Sequence, residues 1–253
     1  MAIPESDWLP LFVRTGRLKS VKTQRYTDGF EIEDGGRMNL VGFHHVEDFE
    51  GDLLAKTRYG VRDTGAATEL LVAGPESGAV QLVLDNTNEA QLAGIDWGNI
   101  RTIDLEQKPI IEFRIKIGVQ LTIGSVAVWG LCGDHNAAVN TVAESIWFRN
   151  DFGSLAVTVE HDDAGGGHET SLVATGFAFA AINTWAIFDI DLREPANAKF
   201  YINGALVAGG TTFNMNGVPT LQLQPVVRVG NEAVDQSLGT LYCDYIKIWQ
   251  NRE

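Results

Sequence analysis

An antiparallel two-sheet β-sandwich is the fold class that this sequence predicts, and three patterns support it. Apolar and polar residues alternate in many short segments, most clearly in IEFRIKIG (Ile111–Gly118), where Phe113, Ile115 and Ile117 share one face. Turns rich in Gly, Asn and Asp separate these segments, and the chain contains 27 glycines. No long amphipathic helix is predicted, and at most short helical turns occupy residues 135–144. About a dozen short strands with tight turns are typical of two packed sheets.

The first 45 residues lack a sustained helix or strand period and differ in charge from the rest. They contain 6 basic and 6 acidic side chains of the chain's 19 and 33, so the remaining 208 residues carry the whole net charge of -14. We predict an N-terminal arm, residues 1–45, joined to one acidic β-sandwich domain, residues 46–253. A solvated flank without any partner is the alternative. The residues expected to contact a neighbouring subunit are Trp8 and the basic side chains Arg14, Arg17, Lys19, Lys22 and Arg25.

The middle of the chain is predicted to continue as a meander of strands. VQLTIGSVAVWGL (Val119–Leu131) is apolar on both faces in its second half, which predicts a central strand covered by a second sheet. The other predicted strands here are AVQLVLDN (Ala79–Asn86), SIWFR (Ser145–Arg149), SLAVTVEH (Ser154–His161) and HETSLVATG (His168–Gly176).

The C-terminal quarter alternates most regularly. In FDIDL (Phe188–Leu192), the Phe, Ile and Leu side chains share one face, and Asp189 and Asp191 lie on the other, solvent-facing side. AKFYING (Ala198–Gly204) ends in Asn203-Gly204, the dipeptide that most readily forms a two-residue hairpin turn. PVVRVG (Pro225–Gly230) and LYCDYIKIWQ (Leu241–Gln250) complete the series.

Composition and charge exclude several classes of function. The acidic surface repels phosphate backbones, so we expect no nucleic-acid partner. No apolar run approaches the ~18 residues of a membrane-spanning helix, and the opening MAIPESDWLPLF lacks the pattern of a secretory signal. The two cysteines, Cys132 and Cys243, are predicted to be buried free thiols, and a disulfide between neighbouring strands is the alternative. These features predict a protein made in a reducing cytoplasm.

The strand order resembles the concanavalin A-like jelly-roll domains of bacteriophage structural proteins. The resemblance covers about residues 46–250 and rests on an acidic-aromatic opening, EDFEGD (Glu47–Asp52), a late strand with an Asn-Gly tip, and the closing strand LYCDYIKIWQ. It implies the jelly-roll fold and a place in a virion. Lectins, laminin-G modules, polysaccharide hydrolases and lyases share this fold, so the fold alone does not assign an activity.

The carboxylates are the residues that bear on an enzymatic function. The β-glucanases of this fold place Glu, Asp and Glu on one strand face, at spacings of two and then three residues, because glycoside hydrolysis uses paired carboxyl groups. Glu160 and Asp162 have the first spacing, but Gly165 occupies the third position. Asp189 and Asp191 share a face, and no Glu follows three residues later. The sequence therefore predicts no catalytic residues and a protein that is not an enzyme.

Several side chains are candidates for a metal site or a glycan site. HDDAGGGHE (His161–Glu169) contains metal-ligand side chains, but its three glycines favour an exposed turn, and Asp85–Glu89 is predicted to cap a hairpin. We therefore predict no metal and no cofactor. The tryptophans divide into two predicted core residues, Trp129 and Trp249, and two candidates for stacking on sugar rings, Trp97 and Trp147.

From these observations we predict a non-enzymatic bacteriophage virion protein, a capsid decoration (cement) protein on the head surface. Its partners would be the major capsid protein and sister subunits in a homotrimer, fastened by residues 1–45. The alternative is a lectin-like module of a phage tail that binds a cell-surface polysaccharide. A third hypothesis, a polysaccharide-cleaving enzyme, predicts loss of activity on Glu160→Gln.

Overall fold

The computed structural model describes residues 60–72, 78–122, 124–164 and 170–251, together with Phe49 and three short strands near the N-terminus. These strands are Ile32–Glu33 (β1), Arg37–Met38 (β2) and Gly42–Glu47 (β3). The chain divides into two compact units, Met1–Phe43 and His44–Asn251. In the first unit, β1 and β2 pair with each other. The predicted boundary between residues 45 and 46 stays a prediction.

Fifteen more strands follow in the described part of the chain, and its helical content is limited to three short 3₁₀ turns, at Leu105–Gln107, Val139–Thr141 and Pro195–Asn197. None of the helices described there has the length and apolar character needed to cross a bilayer. The strands are β4 (Gly60–Thr64), β5 (Thr68–Leu71), β6 (Val80–Leu84), β7 (Asn88–Asp96), β8 (Ile103–Asp104), β9 (Ile110–Val119), β10 (Ser125–Cys132), β11 (Glu144–Asp151), β12 (Ala156–Asp163), β13 (Thr170–Ala178), β14 (Ala186–Asp191), β15 (Lys199–Ile202), β16 (Ala205–Val207), β17 (Gln222–Gln236) and β18 (Gly239–Asn251).

Two eight-stranded antiparallel sheets form the sandwich. Sheet I has the order β13-β12-β11-β10-β17-β7-β4, with β8 also paired to β17. Sheet II has the order β16-β15-β14-β9-β18-β6-β5, with β3 also paired to β18. Neighbours such as β10 and β17 are far apart in sequence, as in a jelly roll. The predicted all-β sandwich is therefore confirmed.

The core between the sheets is built from the faces that the alternation predicted. Phe113 of β9 and Phe188 of β14 are fully buried, together with the Ile residues that share their faces. Aromatic rings pack edge to face across the core, with centroids 4.9 Å apart for Trp129 and Phe188 and 5.0 Å apart for Phe148 and Phe188. Such pairs contribute roughly 0.5–1.5 kcal/mol beyond the burial of their area. Trp129 lies in the core as predicted.

The hairpin between β15 and β16 has the predicted turn. Asn203 and Gly204 are its two connecting residues, and their φ angles are 50° and 82°. Both angles are positive, as a type I′ turn requires, and glycine adopts such an angle without strain. The Asn203 side-chain oxygen also accepts a hydrogen bond from the Ile187 amide, at 2.9 Å, which ties the turn to β14.

Two predictions about the outer face of sheet II are wrong. Asp189 and Asp191 were expected to face solvent, but they are 0% and 6% exposed. Arg193 binds the Asp191 carboxylate through two nitrogens, with Nη2 at 2.8 Å from Oδ2, and this charge pairing makes the burial of Asp191 tolerable. Trp249 was expected in the core, but it is only half-buried and lies on the outer face of β18, because the alternation places Ile248 inward.

Candidate functional site

The outer face of sheet I carries a second, smaller apolar cluster. Residues 133–143, here called the covering loop, connect β10 to β11 and fold back over the sheet. Val139 and Val142 of the loop are buried against side chains of β10, β11 and β17, namely Val126, Val128, Cys132, Trp147 and Val226. The two-sided apolar character of Val119–Leu131 therefore has a different cause from the one predicted. The second sheet covers only its inner face, and the loop covers its outer face.

Buried polar side chains of β17 anchor the covering loop. Arg228, 3% exposed, donates hydrogen bonds to the backbone carbonyls of Asn136 and Ala137, both at 2.6 Å. Gln224, fully buried, donates from Nε2 to the Gly133 carbonyl at 2.7 Å. Hydrogen bonds from a charged donor are among the stronger ones in proteins, so the loop is a fixed part of this face.

A cavity of about 350 Å³ lies beside the covering loop, over strands β11 and β12. Its volume is within the range of small-ligand sites, and its lining combines apolar walls with several convergent polar groups. The lining residues are Val139, Asn140, Val142, Ser145, Trp147, Arg149, Glu160, His161, Asp162 and Leu172.

Glu160 is the most firmly held carboxylate in this cavity. The register of β11 and β12 places it directly opposite Trp147. The Trp147 indole nitrogen donates to Glu160 Oε1 at 2.5 Å, and Arg149 Nη1 donates to both carboxylate oxygens, at 3.3 and 3.4 Å. The Arg149 guanidinium also donates to Asp151 at 2.9 Å and to Asn140 at 2.6 Å. These donors fix the carboxylate in one orientation.

The same contacts keep Arg149 charged. Burial disfavours its charged form, but the nearby carboxylates of Glu160 and Asp151 outweigh burial and raise the pKa of Arg149 above its usual value. The cavity therefore contains a permanent cation beside its most buried anion.

Asp162 supplies a second carboxylate on the same face. Residues two apart on one strand have Cα atoms roughly 6.7 Å from each other, and their side chains point the same way. Asp162 is half-buried, and its Oδ1 accepts a hydrogen bond from the Ala164 amide at 2.8 Å. Glu160 and Asp162 thus lie side by side, facing one cavity. The third position of the glucanase pattern, Gly165, lies outside the described residues.

The alternation splits the residues of HDDAGGGHE between two environments. His161 packs its ring edge to face against Phe213, with centroids 5.6 Å apart, and Asp163 is fully buried. His168 and Glu169 lie outside the described residues. Among the residues that the structure describes, no group of three or more His, Cys, Asp or Glu side chains is arranged to hold a metal ion.

Gly130 makes room for the Trp147 side chain. It lies on β10 directly opposite Trp147, and a Cβ atom placed there would lie 2.5 Å from both the Cα and the Cβ of Trp147. Any larger residue would push β11 away from β10. The approach of the two strands under the cavity therefore depends on a residue without a side chain.

The two tryptophans predicted to bind glycans are not brought together. Trp147 is 2% exposed and forms the floor of the cavity, so its ring is not an open stacking platform. Trp97 follows β7 and is half-buried against the main core. Two strands, β10 and β17, lie between β7 and β11. Only Trp147 belongs to the site.

A second polar network lies on the far side of the covering loop. The buried Asp96 carboxylate accepts hydrogen bonds from Arg62 Nε at 2.8 Å and from the Gly98 amide at 2.6 Å. His135 of the loop approaches it, with Nδ1 at 3.6 Å from Oδ2. Burial, followed by the charges of Arg228 and Arg62, lowers the pKa of His135, and Asp96 opposes this only in part.

The sequence did not identify Arg149, Asn140 or Ser145 as site residues. Arg149 and Trp147 are two residues apart in SIWFR, which is the signal that they share a face. That this face meets Glu160 depends on strand register, which no local pattern revealed. The predicted interface residues of the arm, Trp8, Arg14, Arg17, Lys19, Lys22 and Arg25, lie outside the described residues.

Solved structures with the same fold include enzymes that act on glycans. The laminarinase from Flavobacterium sp. UMI-01 matches with a TM-score of 0.58 and 15% identity, over 81% of this chain and 99% of its own. A glycoside hydrolase family 16 endo-glucanase from Bacteroides ovatus gives 0.57 and 12%, over 81% and 99%. A protein of unknown function from Shewanella oneidensis MR-1 gives 0.54 and 13%, over 92% and 95%. No family model matches this sequence, and neither does any curated protein.

These similarities confirm the jelly-roll part of the resemblance and correct the functional part. The prediction of a non-enzymatic bacteriophage decoration protein is contradicted, because the similar structures include a β-1,3-glucanase, a laminarinase and a glycoside hydrolase family 16 endo-glucanase. Identities of 12 to 15% establish a shared fold and do not assign an activity to this chain. The capsid, sister-subunit and cell-surface polysaccharide partners and the virion location stay predictions.

Proposed function

We propose that this chain hydrolyses glycosidic bonds of a polysaccharide in the cavity formed by β11, β12 and the covering loop. The observation that carries the proposal is the pair Glu160 and Asp162, two carboxylates side by side on one strand face in a cavity with convergent polar groups. Glycoside hydrolysis requires two such carboxyl groups flanking the scissile bond.

The surroundings of the two carboxylates suggest different roles. Trp147 and Arg149 hold Glu160, so we assign it to face the anomeric carbon, where positive charge develops in the transition state. Asp162, the second carboxylate on this strand face, is assigned to give a proton to the glycosidic oxygen as the bond between that oxygen and the anomeric carbon breaks. Water then supplies a hydroxyl group to the anomeric carbon and returns a proton to Asp162, which closes the cycle.

The cavity also offers groups to orient a sugar. Ser145 and Asn140 present side chains that bond hydroxyl groups, and Leu172 offers an apolar surface to a ring face. β-Glucans are the first substrates to test, because two of the similar structures are a laminarinase and an endo-glucanase.

The decisive experiment is release of reducing sugar from a panel of linear polysaccharides by the wild type and by Glu160→Gln. The amide keeps an oxygen that accepts the Trp147 hydrogen bond, so we expect the variant to fold and to lose activity by at least about 100-fold. Asp244→Asn is the matched control, because Asp244 is also paired with an arginine, Arg114, but lies on sheet II. Binding of glycans without any cleavage, or equal rates for the wild type and Glu160→Gln, would contradict the proposal.

A further inference from the structure

The outer face of sheet I is divided into a covered half and an open half. The covering loop occupies the outer face of β10 and β17, where Val139 and Val142 pack on the strands. The cavity with Glu160 lies on the other side of this loop, over β11 and β12, and extends to Leu172 of β13. A saccharide chain crossing the sheet would meet the loop directly after passing the carboxylates.

The covered half is wide compared with a sugar chain. Neighbouring strands lie about 4.8 Å apart, so covering β10 and β17 blocks roughly 10 Å of the path across the sheet. The loop residues Asn140 and Val142 form the cavity wall on this side. The path is therefore closed at the wall of the cavity, next to Glu160.

Hydrogen bonds hold the covering loop in this position. Arg228 and Gln224, both buried on β17, bond its backbone carbonyls at 2.6 to 2.7 Å. The His135 amide adds a hydrogen bond to Asn99 Oδ1 at 2.9 Å. Displacing the loop would expose its apolar residues and leave buried donors without acceptors.

From this geometry we infer that the cavity accepts the end of a glycan chain and excludes an internal segment. The inference rests on the proposed function for the identity of the site, and it adds the substrate class: linear glycans with a free terminus. The wall formed by the loop would act by steric exclusion, the repulsive element that specificity requires.

The test compares a linear glucan oligosaccharide with a cyclic glucan of the same linkage, because a cyclic chain has no end. We expect the wild type to cleave the linear probe at least about tenfold faster than the cyclic one. Its action on a long polymer should release short sugars while viscosity falls slowly. Equal cleavage of both probes, or rapid loss of viscosity, would overturn the inference and leave the proposed function intact.

A second measurement separates the two proposals. If no probe is cleaved, the proposed function fails, and calorimetric binding of the same two probes decides the inference. Binding of the linear probe alone supports a site for chain ends, whereas equal binding of both, or of neither, contradicts it. Replacing residues 135–141 by two glycines should remove the discrimination if the shortened protein folds, and the two-probe comparison on the wild type does not depend on that variant.

Discussion

The carboxylate of Glu160 takes its orientation from one neighbouring strand. Trp147 and Arg149, both on β11, provide its donors, so the same strand supplies the floor of the cavity and the support for its most buried anion. Support of this kind fixes the geometry of the reacting groups before a substrate arrives. Substitutions on β11 should therefore change activity even where they do not touch the sugar.

Trp147→Phe tests that support. The change removes the indole N–H donor and some buried volume, so we expect a loss of about 1–3 kcal/mol in the free energy of unfolding and a lower kcat. Urea denaturation and initial rates on a cleaved glycan measure the two effects. Trp185→Phe is the control and should leave kcat unchanged, because Trp185 lies directly before β14 and packs against Tyr242 of sheet II. An unaltered kcat in Trp147→Phe would show that this donor has no part in orienting Glu160.

Cys132 offers a second prediction at this scale. Burial, followed by the charge of Asp96, raises the pKa of its thiol to about 12 from an ordinary value of 9.0. The pKa of this thiol is higher in the folded protein than in the unfolded chain. The contribution of Cys132 to the free energy of unfolding is therefore complete below pH 9.0 and is lost as the pH rises toward 12. We expect iodoacetamide to leave Cys132 unmodified in the native protein and to label it in urea. Labelling of Cys132 in the native protein at about pH 8 would contradict this.

Among the elements, the covering loop has a predictable response to pH. The lowered pKa of His135 means that the unfolded chain takes up a proton first as pH falls through 6.5. The contribution of His135 to stability is therefore present above that pH and is lost below it, down to the lowered folded pKa. The wild type should lose more stability than His135→Gln between about pH 7.5 and 5.5, as measured by urea denaturation at each pH. Parallel losses in both proteins would exclude His135 as the cause.

The elements also show which parts of the fold local patterns can predict. Period-two alternation predicted β9 and β14 with the correct inward faces, and Asn203-Gly204 predicted the turn between β15 and β16. The sequence of β10 revealed that both of its faces are covered, but a run of apolar residues does not encode what covers them. Residues 135–144 were predicted to hold at most short helical turns, and no local pattern revealed that they cover the sheet, because their anchors, Arg228 and Gln224, are about 90 residues away.

For the whole molecule, the aromatic core should dominate stability. Phe188 is fully buried and contacts the rings of both Trp129 and Phe148. Phe188→Ala should lower the free energy of unfolding by about 3–5 kcal/mol, because it removes buried surface and leaves a cavity. Ile187→Ala, one residue away on the outward face, is the control and should cost much less. Equal losses in the two variants would mean that the two faces of β14 are equally important.

For the molecule as a whole, the architecture predicted from the sequence is confirmed, and the predicted function is wrong. The sandwich follows from patterning that repeats along the chain, so errors in single strands did not affect it. The candidate site depends instead on one cross-strand relationship, Trp147 opposite Glu160, and strand register is a property of the assembled sheet. The carboxylates of a single strand do not reveal support that comes from the neighbouring strand.

The strands at the two ends of sheet II are short, and their length affects how separate molecules associate. Within the described strands, β16 has three residues and β5 has four, so each presents only a brief row of unpaired peptide groups. Long, flat edge strands, unlike these, are where separate molecules add strands to one another and begin fibrils. Sheet II should therefore resist such growth at both of its ends, even when the protein is concentrated.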